Sequence, residues 1–60
     1  MTIEAILREV EHLHSVSTRL EALAEQHPNM SAELLTVAGN VRNSATVLEL
    51  LVATRGSQPI

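Results

Sequence analysis

Glu11 and His14 stand three residues apart. On a helix that spacing sets both side chains on neighbouring turns of one face. It is the Glu-x-x-His arrangement through which carboxylate-bridged di-iron bundles hold metal, and two copies of a helical hairpin would supply it twice. Such sites also need an inward-facing Glu from each remaining helix at the same level. In a hairpin that turns near residue 29, His14 lies level with about residue 44. The second half of the chain has Glu only at positions 33 and 49. Glu11 also falls well away from the apolar row described below, and Glu9-x-x-His12 repeats the spacing further onto the wet side. No metal ligand is expected, and a metal-binding bundle using Glu11 and His14 is the lesser alternative.

His14 and Ser17 share one helical turn, the first requirement for a base beside a nucleophile. Catalysis also needs an orienting acid, an oxyanion site and a pocket. The chain has no Asp, no Cys and no glycine-rich phosphate loop. No catalytic residue or cofactor is expected, and the chain does not read as an enzyme. Ser17 is then a small residue in a packing seam, and His14 a boundary residue bonded to a neighbouring helix or to water.

Composition narrows the classes further. Sixty residues allow one small domain, and a chain this short needs disulfides, a metal, a partner subunit or very regular helix packing. Without Cys, Phe, Tyr or Trp, its core must come from Leu, Val, Ile, Ala and Met. Such a core is thin per residue and favours burial between subunits. The formal net charge is −3, and the four basic residues are all arginine. Few cations and no aromatic ring leave little to hold phosphates or unpaired bases, so nucleic-acid binding is disfavoured. The longest apolar run, Val47 to Ala53, is broken by Glu49 and is far short of the ~20 residues of a membrane span. The start of the chain lacks the pattern of a secretory signal. A cytoplasmic protein is the expectation.

The elements that position these residues follow from apolar spacing. Thr2 can cap a helix of about residues 3–27, whose row is Ile3, Ile6, Val10, Leu13, Ser17, Leu20, Ala24 and His27, in steps of three and four. Leu7, Val16 and Leu23 widen the stripe. Pro28 ends this helix by disfavouring helical geometry at His27. Asn29 or Ser31 then caps a second helix of about residues 31–55, whose row is Leu34, Ala38, Val41, Ala45, Leu48 and Val52. This row crosses Gly39-Asn40 without a change of phase, which predicts one continuous helix rather than two. Gly56 follows as the residue after the C-cap, and residues 57–60 form a tail.

The short connection makes the helices antiparallel neighbours. The fold class is all-α: an antiparallel helical hairpin, forming one domain that dimerises into a four-helix bundle. In length, and in small residues alternating with large ones along a seam, the layout is similar to the Rop type of dimeric hairpin bundle. That similarity implies architecture and not function.

The second helix has an uncharged rear face: Thr36, Gly39, Asn40, Asn43, Thr46, Val47 and Leu50. Exposed helix faces usually carry charge, and from Ala45 to Ala53 the helix is apolar almost all round. The small residues would admit another backbone, and Asn40 and Asn43 would bond across an interface or to water. The expected interface comprises Leu34, Ala38, Gly39, Asn40, Val41, Asn43, Ala45, Val47, Leu48, Leu50, Leu51 and Val52. The expected partner is a second copy of the chain, as a dimer or tetramer, with another protein as the further possibility. The expected function is that of a non-enzymatic interaction module, a small adaptor or regulator. The alternative is a structural bundle whose surface is consumed by self-assembly.

Overall fold

The computed structural model describes residues 2–56. Helix α1 spans Ile3–Gln26, a 3-10 turn spans Pro28–Met30, and helix α2 spans Ser31–Gly56. The two helices pack along each other as an antiparallel hairpin. The predicted tail at 57–60 lies outside the described residues.

The start of α1 follows the sequence. Thr2 is extended, and its Oγ1 accepts a hydrogen bond from the Ala5 amide at 3.1 Å, which satisfies one of the orphan donors of the first turn. Pro28 sets the other end. His27 leaves helical geometry at φ −130° and ψ 78°, while its amide still donates to the Leu23 carbonyl at 3.0 Å. The Met30 amide then donates to the His27 carbonyl at 2.9 Å and turns the chain back.

The start of α2 differs from expectation. Ser31 is itself right-handed helical, at φ −57° and ψ −47°, whereas an N-cap residue is extended. Its amide donates to the Pro28 carbonyl. The 3-10 turn therefore runs straight into α2 and supplies by backbone what a side-chain cap from Asn29 or Ser31 was expected to supply. At the far end α2 includes Gly56 rather than stopping before it.

Gly39-Asn40 is the middle of α2, as the unbroken apolar register requires. The expected close approach at Gly39 is absent within the hairpin: a Cβ placed there meets no atom within 4 Å. A glycine in an exposed helix interior costs about 1 kcal/mol relative to Ala. Gly39→Ala is therefore expected to raise the melting temperature by about 4–8 °C, the shift that 1 kcal/mol gives in a domain of 60–100 residues. Thermal unfolding by circular dichroism measures this, and a fall would place a close neighbour at Gly39 in the assembled protein.

The buried seam is built from small side chains. Val10, Ser17 and Ala24 of α1, one per heptad, are buried against Ala38 and Ala45 of α2. Ser17 donates its hydroxyl proton to the Ala38 carbonyl at 3.0 Å, a bond that needs the backbones close together. Ser17→Ala keeps the volume and removes one hydrogen bond, so a loss of about 0.5–1.5 kcal/mol is expected. Ser17→Leu has no room in this seam and is expected to lose about 1–3 kcal/mol or more by overpacking. Urea unfolding of the two variants checks the order, and equal stability would show that the seam tolerates wider helix spacing.

Candidate functional site

Beside the small row runs a row of large side chains. Ile6, Leu13 and Leu20 on α1, with Leu34, Val41 and Leu48 on α2, are all half-buried. Each helix thus alternates a buried residue, small at every position but Val10, with a large half-buried one. In the heptad geometry of two antiparallel helices, the large row leans from the seam toward one side of the hairpin. Val16 and Leu23 extend that side on α1, and Val37 and Leu51 extend it on α2. Val16 is half-buried, while Leu23, Val37 and Leu51 are exposed. An open depression on this side is lined by Ala5, Ile6, Glu9 and Leu48.

The other side of the seam is bridged by polar side chains. His14 Nε2 lies 2.8 Å from Glu49 Oε1, and Arg42 Nη2 lies 2.7 Å from Glu21 Oε2. The pairs sit one heptad apart on both helices and tie them across the same edge. Leu7 and Leu35 lie beyond them toward the two ends. The hairpin therefore has an edge bridged by two polar cross-helix contacts, with exposed Leu7 and Leu35 at its ends, and an open edge toward which the large seam row leans.

The His14–Glu49 contact corrects the level-by-level expectation, which set His14 opposite about residue 44 and left Glu49 out of reach. Side chains on a helix lean toward its N-terminus. In an antiparallel pair, His14 leans back toward the start of α1, which is where the end of α2 lies, and Glu49 leans back to meet it. The five-residue offset is roughly 7.5 Å of helix rise, which two long side chains converging in this way can span. Glu21 and Arg42 show the same offset. A signal was present in the sequence as the matched seven-residue spacings of 14 to 21 and 42 to 49.

The side chains of His14 and Glu49 are 43% and 51% exposed, which limits the worth of the pair. A double-mutant cycle with His14→Ala and Glu49→Ala is expected to give a coupling of about 0.2–1 kcal/mol. A coupling well above that range would show the edge to be shielded from water in the assembled protein.

The other candidate chemistry is dispersed. Glu11 is exposed, and His14 is engaged with Glu49. Among the described residues, no three metal-binding side chains gather into one group. Ser17 is buried with its hydroxyl on a backbone carbonyl, out of reach of a substrate.

The twelve residues expected at an interface fall into three sets. Ala38 and Ala45 are consumed by the seam within the chain. Leu34, Val41, Leu48 and Val52 are half-buried beside it, and Leu51 is exposed on the open edge. Gly39, Asn40, Asn43, Val47 and Leu50 lie on the rear of α2 and are exposed. On that rear face Thr36 and Thr46 donate their hydroxyl protons to the carbonyls of Ala32 and Arg42, four residues back. The interface expected from sequence lies wholly on α2, and so omits Val16 and Leu23 of the α1 stripe; it also omits Val37, and all three lie on the open edge.

Comparison of the chain with protein-family models, curated proteins and solved structures found no match. Among the described residues, no helix is long and apolar enough to cross a membrane.

Proposed function

We infer that the protein is a non-enzymatic interaction module, a helical hairpin that works by associating through its apolar surface, first of all with itself. One observation carries this reading: no leucine or isoleucine among the described residues is buried. Among the described residues the buried core is one valine, three alanines and a serine. Full burial of a Leu or Ile side chain stabilises by about 1.5–3 kcal/mol relative to exposure, and the hairpin alone collects only part of that at each large position. Chains of this size need a further source of stability. Neither disulfides nor aromatic side chains are present to supply it. A partner that covers the large row would.

The alternative, a purely structural bundle, shares the self-association step. It is distinguished by what happens to the rear face of α2, where Val47 and Leu50 are 56% and 61% exposed. An adaptor keeps that face open after assembly, and a higher self-assembly covers it. Light scattering on the intact chain is expected to give the mass of a dimer. A monomer at all working concentrations would defeat the proposal, and a tetramer would favour the structural alternative.

A further inference from the structure

The geometry points to one side of the hairpin as the homodimer interface: the open edge, opposite the His14–Glu49 and Glu21–Arg42 pairs, with a second copy of this chain as its occupant. This rests on the reading of the protein as a self-associating module and names the surface that does it. Three observations support the choice of face. The large seam row is half-buried at three successive heptad positions on each helix and leans to this side, which is the pattern of a core cut in half. The opposite edge carries four ionisable side chains already paired within the chain, and covering them would strip water from the Glu21–Arg42 ion pair and from the Glu49 carboxylate beside His14, a desolvation cost. On the open edge, Val16, Leu23, Val37 and Leu51 continue the apolar surface, interrupted by Glu9 and Ser44 and bordered by His12, Glu33 and, at the end of the α2 row, Arg55.

Two further points support the choice of occupant. The face runs the length of α1, roughly 36 Å, and is about 20 Å across two helices at ordinary packing distance. That is on the order of 700 Å² per hairpin, close to the ~800 Å² each partner contributes to a stable interface. A partner must also match a strip of this length that repeats every seven residues. A second copy carries the same strip with the same repeat. Joining the two brings four large rows around one axis and closes the depression at Ile6 and Leu48.

The chain has no cysteine, so single thiols can report on each face. Ser44→Cys places one in the middle of the open edge, and Asn43→Cys places one on the rear of α2. Both positions are exposed in the hairpin, and both substitutions are small enough to keep the fold, which helicity by circular dichroism verifies. Reaction of each full-length variant with an aromatic disulfide reagent is followed across a dilution series, with molar mass measured in parallel. The Ser44→Cys thiol is expected to slow by about tenfold or more as mass rises from monomer to dimer, while Asn43→Cys stays within about twofold. The reverse pattern overturns the assignment of the face and leaves self-association standing. Protection of both thiols overturns the division of the two faces. A mass that stays monomeric while both thiols react at one rate overturns the self-association reading as well.

Discussion

The close approach of two helices at a row of small side chains governs the rest of this structure. Ser17 and Ala24 on α1, and Ala38 and Ala45 on α2, are small enough for the backbones to come within reach of a serine-to-carbonyl hydrogen bond. Once the small residues occupy the line of contact, the large ones cannot. Ile6, Leu13, Leu20, Leu34, Val41 and Leu48 are displaced to one side of it and left half-covered. The hairpin thereby gains a tight seam and acquires an apolar edge by the same step. Reversing the pattern, with large residues on the contact line, would spread the helices and bury more within a single chain.

Charge then separates the two edges. The two cross-helix pairs close the side away from the large row, and the shared offset of both pairs follows from the backward lean of helical side chains. Exposed pairs of this kind add little stability. Their consequence is asymmetry, because an edge carrying satisfied polar groups is a poor surface to dehydrate, and that leaves the other edge as the better one to cover. The rear of α2 is a different surface again, neutral, with Thr36 and Thr46 bonded back to their own helix.

The helices and the turn were legible because their determinants are local. Thr2, Pro28 and the three-four spacing fix where α1 begins and ends, and the unbroken phase from Leu34 to Val52 carries α2 through Gly39. The cap of α2 was not legible, because the 3-10 turn satisfies its start by backbone, and no residue type announces that. The interface residues were legible only as a mixture. Sequence puts Ala38 in the apolar row and Val47 on the rear face, yet groups both with Leu51 in one interface. Packing against α1 consumes Ala38 in the seam and leaves Val47 and Leu51 exposed on two different sides. The His14–Glu49 contact was not legible, because comparing level positions, which sets Glu49 aside as a shared metal ligand, leaves out the lean of helical side chains.

The central claim is that the hairpin is half of a core and is completed by a second copy. Urea unfolding over a range of protein concentrations tests it most directly. A folded state that exists as a dimer gains about 1.4 kcal/mol for each tenfold rise in concentration. With the urea dependence usual for a small protein, that moves the midpoint upward by roughly 0.5–1.4 M per tenfold. A cooperative transition whose midpoint does not move with concentration would contradict the account.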